Sequence, residues 1–184
     1  MSEEQLIQAI QQEPDQFEQL YEAYYSAIFN YVFKRIGEFE LSRDIVSEVF
    51  LKAYAGISRF RWKGISIKSW LYRIASNEIK LYFRSKKYRP QLFAQTYKEM
   101  IFSEGKTPLE LEKDQLEISQ EKFAQFQRIQ AALRELPLKY QEVIALKYFE
   151  QMDIEEIMQI SGKKKGTVKS LLSRGMKHLK EKLN

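Results

Sequence analysis

Apolar residues recur at helical spacing along most of the chain, and prolines and glycines interrupt this pattern at few places. The first long pattern predicts a helix that runs to Ile36, with Asp15 after Pro14 as its N-terminal cap and Gly37 as its end. One face of this helix is apolar at every third or fourth position. The residues of that face are Phe17, Leu20, Tyr21, Tyr24, Ile28, Tyr31 and Val32.

Two further helices are predicted in the N-terminal half. The second covers about residues 41–54, with Ile45 and Val49 pointing inward, and the third covers about residues 67–87. Pro90 stops the third helix, because proline lacks the N–H that a helix interior needs. We therefore expect residues 1–88 to form a small helical domain.

Residues 89–122 differ from their flanks, because they include Gly105, Pro108 and an acid-rich stretch. This composition favours a partly helical, acidic inter-domain linker. The C-terminal domain is predicted over residues 123–184, with Pro137 in the first turn of its middle helix. The predicted fold class is all-α, with two small helical domains joined by the linker.

The C-terminal end has the layout of a helix-turn-helix. Ile154, Ile157 and Met158 share one face of a short acidic helix, and Gly162 follows where the chain must reverse. The next helix has an apolar stripe, formed by Val168, Leu171, Leu172 and Leu179, and an outward face, formed by Lys169, Ser170, Ser173, Arg174 and Lys177. The outward side chains are donors suited to base edges and phosphates, which predicts DNA binding. A solvated basic face is the alternative explanation.

A second group of candidate nucleic-acid contacts lies upstream, between two predicted helices. The loop 60–64 combines aromatic rings, cations and a glycine, so it can hold an unstacked base, since such stacking contributes about 1–3 kcal/mol per base. The helix after it offers cations that can follow a phosphate backbone. Core packing is the alternative explanation for the rings, above all for Trp70. The candidates are Phe60, Arg61, Trp62, Lys63, Trp70, Arg73, Asn77, Lys80 and Arg84.

Composition agrees with a nucleic-acid partner and excludes several other classes. The 184 residues carry a net charge of +5, which favours a polyanion as partner. The chain has no cysteine and one histidine, His178, which excludes a disulfide scaffold and Cys or His metal clusters, and we expect no cofactor. The N-terminus lacks a basic, apolar export segment, and no apolar run approaches the roughly 20 residues that span a bilayer, so we expect a cytoplasmic protein.

Several segments resemble the bacterial extracytoplasmic-function (ECF) sigma factors. Residues 136–146, 153–157 and 166–170 are similar to region 4 of that family, which binds the promoter -35 element. Residues 44–54 and 70–77 are similar to region 2, which binds core RNA polymerase and melts the -10 element. Two motif blocks in the family's order are more specific than either block alone.

The resemblance implies roles for the residues of the helix-turn-helix. The -35 contacts would come from the basic helix, with phosphates at its entrance and base edges or the groove along its outward face. These residues are Lys165, Thr167, Lys169, Ser170, Ser173, Arg174 and Lys177.

The resemblance also assigns the upstream block. Asn77 and the 60–64 loop would capture a flipped base of the -10 element. An acidic helix face would dock on the clamp helices of the polymerase β′ subunit. The residues assigned to this core-binding face are Asp44, Ser47, Glu48 and Phe50.

The chain departs from the family pattern at several positions. Ser47 stands where glutamine is usual, and the loop before Trp70 is slightly longer than in most members. Gly175 replaces a frequent alanine inside the basic helix, at an expected cost of up to about 1 kcal/mol. The basic cluster 163–165 lies at the entrance of that helix rather than at its end.

The resemblance therefore implies a sigma factor that directs core RNA polymerase to promoters by -35 binding and -10 melting, and we expect no catalysis by the chain itself. Expected partners are core polymerase, through its β′ clamp helices and β flap, and promoter DNA; an anti-sigma factor is common in the family, and the sequence leaves it open. Two alternatives come from other classes. One is a conventional helix-turn-helix repressor or activator that binds DNA without polymerase, and the other is a nuclease with Asp44 and Glu48 as metal ligands.

Overall fold

The computed structural model describes residues 3–61, 65–85 and 113–184. The predictions on Trp62, on Lys63 and on the linker up to residue 112 lie outside the described residues. Every regular element within the described ranges is helical, which confirms the all-α class. The helices are α1 (Glu3–Gln12), α2 (Phe17–Ile36), α3 (Phe39–Ile57), α4 (Ile67–Arg84), α5 (Lys113–Arg134), α6 (Leu138–Ile144), α7 (Ile154–Ser161) and α8 (Lys165–Leu183).

The N-terminal half is a bundle of α1 to α4 around a core in which Leu20, Ile28, Val49 and Leu71 have no exposed surface. Gly37 ends α2 as predicted, because it adopts the left-handed conformation (φ 81°) that glycine takes without steric cost. Its N–H donates to the carbonyl of Phe33 at 2.8 Å, which satisfies one of the last carbonyls of the helix.

The start of α2 differs from the sequence prediction. Asp15 does not cap the helix, because it lies inside a one-turn 3-10 helix, Pro14–Gln16, that precedes it. Gln16 is the capping residue, and its side chain makes no capping hydrogen bond. Pro14 has no N–H and a fixed φ, so it starts the 3-10 turn and moves the first α-helical turn to Phe17.

Helix α1 was not predicted from the sequence, because its apolar face is narrow. Ile7 and Ile10 are its buried residues. The amide of Gln11 donates to the carbonyls of Ile57 at 2.9 Å and Phe60 at 3.0 Å. This helix therefore fixes the end of α3 and the beginning of the loop that leads to α4.

The C-terminal half contains the predicted helix-turn-helix, α7 and α8. Asp153 and Glu156 form a capping box at the start of α7, in which each side chain accepts a hydrogen bond from the other residue's backbone N–H. Gly162 takes the left-handed conformation (φ 69°) between the two helices, as predicted. Pro137 is the capping residue of α6 and lies one position before its first turn, where its extended backbone (ψ 140°) directs the chain into the helix.

Gly175 lies at a close contact between α8 and α6. It is buried, and a Cβ atom there would lie 2.9 Å from Cδ1 of Ile144 and 3.2 Å from Cβ of Tyr140. Alanine at this position would require both neighbours to move. Close packing between α8 and α6 therefore explains why glycine, which has a low helix propensity, occupies this position.

Replacement of Gly175 by alanine is expected to lower the free energy of unfolding by about 1 kcal/mol. The gain in helix propensity, about 1 kcal/mol, is smaller than the typical overpacking cost of about 1–3 kcal/mol. Gly166 in the first turn of α8 is the matched control, since nothing lies within 4 Å of its Cβ position. Gly166→Ala should raise stability by up to about 1 kcal/mol in urea unfolding, and equal stabilisation by both variants would contradict the packing explanation.

The two halves share one apolar core. Buried residues of α2 to α4 are continuous with Val143, Leu146, Ile157, Ile160 and Val168 of the C-terminal half. A second, smaller cluster joins α5, α6 and α8. Helix α4 thus packs against α7, which places both candidate DNA-binding helices near each other. No helix within the described ranges combines the length and the hydrophobicity needed to cross a membrane.

Candidate nucleic-acid and protein interfaces

Helix α8 presents the predicted -35 residues on one exposed face. Val168 and Leu179 anchor the opposite face in the core. All seven predicted side chains are exposed: Lys165, Thr167, Lys169, Ser170, Ser173, Arg174 and Lys177. The structure therefore brings the whole predicted set together, with hydroxyl and cationic donors facing solvent.

The cations at the start of α8 are not explained by helix stability. Lysines in a first helical turn oppose the positive end of the helix dipole. Lys165 Nζ lies 2.6 Å from Oε1 of Glu155 on α7, and this hydrogen bond raises the pKa of Lys165 and lowers that of Glu155. Both side chains are more than half exposed, so a phosphate can replace the carboxylate. An anionic ligand explains the cluster better than folding does.

The predicted -10 residues of α4 divide into exposed and covered groups. Arg73, Asn77 and Arg84 are exposed. Ser66 caps the N-terminus of the helix, and its hydroxyl accepts the N–H of Ser69 at 3.0 Å. Lys80 is less accessible, because its ammonium lies 2.6 Å from the buried carboxylate of Glu142 in α6. The α4 face is therefore partly occupied by the C-terminal half.

The aromatic residues around the loop are packed inward. Phe60 is 8% exposed, and its ring centroid lies 4.9 Å from that of half-buried Trp70. The Trp70 ring in turn lies against Gly56. This geometry favours the core-packing explanation for both rings. Arg61 is exposed, and its guanidinium donates to the carbonyls of Ser58 at 3.2 Å and Phe60 at 3.1 Å, which holds the start of the loop.

Beneath the α4 face is a buried polar network. The hydroxyls of Tyr31 and Ser76 are 2.8 Å apart, and fully buried Arg35 donates to the Tyr31 hydroxyl at 3.1 Å. The Tyr72 hydroxyl donates to Oε2 of Glu150 at 2.7 Å. Burial, followed by the charge of Glu150, raises the pKa of Tyr72. Tyr72 consequently stays protonated and acts as a donor at neutral pH.

The structure places three of the four predicted core-binding residues on the surface of α3 and the fourth beneath that surface. Asp44, Ser47 and Glu48 are exposed, and the Ser47 hydroxyl donates to the Arg43 carbonyl at 2.9 Å. Phe50 is only 4% exposed and packs under this face against the rings of α2. Because its ring is buried, Phe50 supports the α3 face from below and contributes little to its surface.

Leu51 is an exposed apolar residue beside the predicted core-binding residues of α3, and sequence analysis did not name it. Its side chain is 61% exposed and lies three residues after Glu48 and seven after Asp44, on the same side of the helix. The signal was its helical spacing from the two carboxylates. A groove of about 220 Å³ adjoins this face between α3 and α4, with exposed Leu81 at its edge. The groove is lined by Asp44, Ile45, Glu48, Glu78, Leu81, Tyr82 and Ser85.

The carboxylates of α3 do not form a metal-binding cluster in the described part of the chain. There, no group of three or more histidine, aspartate or glutamate side chains converges as a metal site would require. The groove instead combines an acidic rim with an apolar floor. This combination suits a basic, amphipathic protein segment.

Two family models match the chain over the two halves that the fold defines. The model of sigma-70 region 2 matches residues 20–89, and the model of sigma-70 region 4 matches residues 126–179. An all-α chain with a helix-turn-helix and these two regions is a transcription initiation factor of the sigma class. The chain belongs to the sigma-70 family of RNA polymerase sigma factors, in its ECF group.

Known relatives agree with this assignment. The chain is 32% identical to the RNA polymerase sigma factor YlaC of Bacillus subtilis, over 92% of each chain. It is 30% identical to the ECF sigma factor SigW of the same organism, over 100% of this chain and 97% of SigW. The fold is similar to that of CnrH, solved in complex with the cytosolic domain of CnrY, with a TM-score of 0.70 at 17% identity, over 97% of this chain and 95% of CnrH.

These findings confirm the predicted class of function. The protein directs core RNA polymerase to promoters, and its partners are the core enzyme and promoter DNA. The alternative of a conventional repressor or activator is wrong. The individual contacts remain predictions, because they depend on positions within each region.

Proposed function

We propose that the two halves divide promoter recognition, with α8 binding the -35 element and α4 binding and helping to melt the -10 element. The observation that carries this proposal is the exposed face of α8, where the whole predicted set of cations and hydroxyls faces solvent on a helix anchored from behind. Lysines at the helix entrance suit phosphates, and Arg174 suits base edges deeper in a major groove.

The -10 contacts would come from Arg73, Asn77 and Lys80 on α4, together with the loop before it. Unstacking a base costs a few kcal/mol, and phosphate contacts plus a preformed pocket can offset that cost without chemistry by the protein. Because Phe60 and Trp70 pack inward, we assign them to shaping the pocket wall. Arg61 has the exposure needed to contact the strand.

Core polymerase would dock on the α3 face. Asp44 and Glu48 supply negative charge, Leu51 supplies exposed apolar surface, and the adjoining groove extends both properties towards α4. A basic, amphipathic helix pair such as the β′ clamp helices fits this surface. The β flap would contact the C-terminal half, residues 123–184.

An anti-sigma protein is a further proposed partner. The fold likeness to CnrH, which was solved with the cytosolic domain of CnrY, supports a cytosolic domain of this kind as ligand. Core polymerase and promoters are in the cytoplasm of bacteria, and we place the action of the chain there.

The direct test is a pull-down of purified bacterial core polymerase with this chain, followed by run-off transcription on a genomic fragment library. Stable binding with promoter-specific transcripts is the expected result, and the transcripts would give the -10 and -35 sequences. A chain that binds specific DNA alone but neither binds core nor supports transcripts would refute the division of labour proposed here.

A further inference from the structure

Helix α3 ends in a different way from α2 and α7, which both end at a left-handed glycine. Its capping residue is Ser58, which keeps the right-handed conformation (φ −61°, ψ −29°). The N–H groups of Arg59 and Phe60 donate to the carbonyls of Gly56 and Ile57, both at 3.1 Å, and form a turn. The last carbonyls of a helix have no partner within it, so the others in this turn depend on side chains or water.

The side-chain amide of Gln11 on α1 bridges this turn. Its Nε2 atom donates to the Ile57 carbonyl at 2.9 Å and to the Phe60 carbonyl at 3.0 Å. A primary amide has two N–H donors, so Gln11 uses one donor on each end of the turn. The bridge therefore fixes the end of α3 relative to the first residue of the loop.

The Phe60 carbonyl determines the direction in which Arg61 leaves the turn. The peptide unit is planar, so the carbonyl of Phe60 and the N–H of Arg61 lie in one plane. A hydrogen bond that holds this carbonyl therefore also orients the backbone of Arg61. Arg61 is the exposed cation that the proposed function assigns to the -10 strand.

The Phe60 carbonyl has a second donor in Arg61 itself. The Arg61 guanidinium lies 3.1 Å from this oxygen and 3.2 Å from the Ser58 carbonyl. A DNA phosphate is a stronger acceptor for a guanidinium than a neutral carbonyl is, because both partners are then charged. Binding of a phosphate would draw Arg61 away from the turn. The neutral amide of Gln11 would stay and keep the turn in place while Arg61 changes its partner.

Helix α1 is held firmly enough to act as a support. Ile7 and Ile10 are 5% and 2% exposed and belong to the apolar core of α2 to α4. At the other end of α1, the Tyr24 hydroxyl of α2 donates to the Glu3 carboxylate at 3.1 Å. Burial, followed by the charge of Glu3, raises the pKa of Tyr24 to about 12, so this donor is present at neutral pH. Gln11 directly follows Ile10 and is therefore anchored close to the core.

The aromatic contacts of the turn do a different job. The Phe60 ring packs on Trp70, with 4.9 Å between the ring centroids, and the Trp70 ring lies against Gly56. These contacts fix the side chain of Phe60. They do not fix the direction of its carbonyl, which is held by the hydrogen bonds of Gln11 and Arg61.

Stability alone does not explain the position of Gln11. Its side chain is exposed, so water could satisfy both carbonyls with little loss of stability. Water does not fix the distance between the two carbonyls, whereas one amide bonded to both of them does. The region 2 model matches residues from 20 onwards, so this match assigns no role to α1.

We propose that Gln11 is a positioning residue for -10 melting, which holds the turn after α3 so that Arg61 can bind the unpaired strand. This inference rests on the proposed -10 role of Arg61, and it extends the functional part of the N-terminal half to α1. Gln11 does not itself touch DNA. Its loss should slow promoter opening and leave binding to core polymerase unchanged.

The test uses the full-length chain assembled with core polymerase, on a promoter found by run-off transcription. The base analogue 2-aminopurine, placed within or beside the -10 element, reports opening because its fluorescence rises when it unstacks. Gln11→Met removes both donors and keeps a side chain of similar length. The rate of the fluorescence increase should fall about fivefold, with an unchanged affinity for core polymerase.

Gln12→Met is the matched control, because Gln12 is the exposed neighbour of Gln11 on the same helix. It should change the opening rate by less than about twofold. Gln11→Glu keeps the shape of the side chain but turns carboxylate oxygens towards two carbonyl oxygens, so it should slow opening more than Gln11→Met does. Gln12→Glu controls for the added charge. Equal opening rates in the Gln11 and Gln12 variants would overturn the proposal.

A template that is already unpaired by mismatches across the -10 element separates positioning from misfolding. Because this template needs no opening, the transcription deficit of Gln11→Met should shrink to about twofold or less. A damaged fold would reduce transcription on both templates. An equal deficit on the paired and unpaired templates would therefore count against a role in melting.

A double-mutant cycle tests whether Gln11 acts through Arg61. In a chain that carries Arg61→Ala, Gln11→Met should slow opening by less than about twofold further, because the residue that it positions is gone. Fully additive losses would overturn this coupling. If Arg61→Ala alone opened the promoter at the wild-type rate, the proposed -10 role of Arg61 would be wrong, whereas a slow Arg61→Ala with a normal Gln11→Met would overturn only the role of Gln11.

Discussion

Replacement of Arg174 by alanine is expected to reduce promoter-specific transcription about tenfold and to leave binding to core polymerase unchanged. The guanidinium is exposed on the middle of α8, past the lysines of the first turn, where a helix in a major groove meets base edges. A lost base contact of this kind costs about 1–3 kcal/mol of discrimination, and each 1.4 kcal/mol is a factor of ten. Run-off transcription and a core-binding titration measure the two quantities separately.

Lys180→Ala is the control for Arg174→Ala, because Lys180 is exposed on the same helix but lies outside the predicted contact set. It should change transcription by less than about twofold. Lys165→Ala should instead weaken binding to all DNA sequences and lower the salt dependence by about one counterion. Equal losses of transcription and core binding in Arg174→Ala would refute a specific role at the promoter.

The helices that the sequence predicted well are those with a wide apolar stripe and a glycine end. In α8, helical periodicity correctly predicted that Val168 and Leu179 are buried. These apolar residues recur on one side of the helix, and the cationic and hydroxyl side chains lie on the other. Gly37 and Gly162 were predicted as helix ends because a left-handed residue is required at both. These features depend on residues that are close together in the sequence, so a short stretch of sequence is enough to predict them.

At the α3 face, the sequence did not separate the buried position from the exposed one beside it. Phe50 and Leu51 are adjacent, and neighbouring positions on a helix point about 100° apart. The resemblance named Phe50, whose ring is buried, and did not name Leu51, whose side chain is exposed. Phe50 is the buried member of the pair because it packs against Tyr21 and Tyr25 of α2, and the α3 sequence alone does not contain that contact.

The contact between the halves could not be predicted from local pattern at all. Tyr72 and Glu150 are 78 positions apart, and each is unremarkable in its own helix or turn. Their pairing depends on the way α4 and α7 pack, which no periodicity specifies. Gly175 is a second example. Glycine is required there because Ile144 and Tyr140 of another helix leave no room for a Cβ atom, and helix propensity does not show this.

Combined replacement of Asp44 and Glu48 by alanine is expected to weaken binding to core polymerase about tenfold without loss of the fold. The two carboxylates are exposed on α3, one helical turn apart, and both line the groove next to Leu51. Exposed charges at a protein interface act mainly on the association rate, so most of the loss should appear there and should shrink as salt is raised. Biolayer interferometry with immobilised core polymerase at two salt concentrations separates association from dissociation.

Glu18→Ala with Glu22→Ala provides the matched control, because these two exposed carboxylates have the same spacing on the neighbouring helix α2. They lie outside the groove, and their removal changes the net charge by the same amount as the Asp44 and Glu48 variant. The affinity for core polymerase should therefore change by no more than about twofold. Circular dichroism and thermal melting of the Asp44 and Glu48 variant should match wild type, since neither side chain is buried. If its cooperative melting were lost, the pair would be structural, and a core affinity equal to that of the control would move the polymerase interface away from α3.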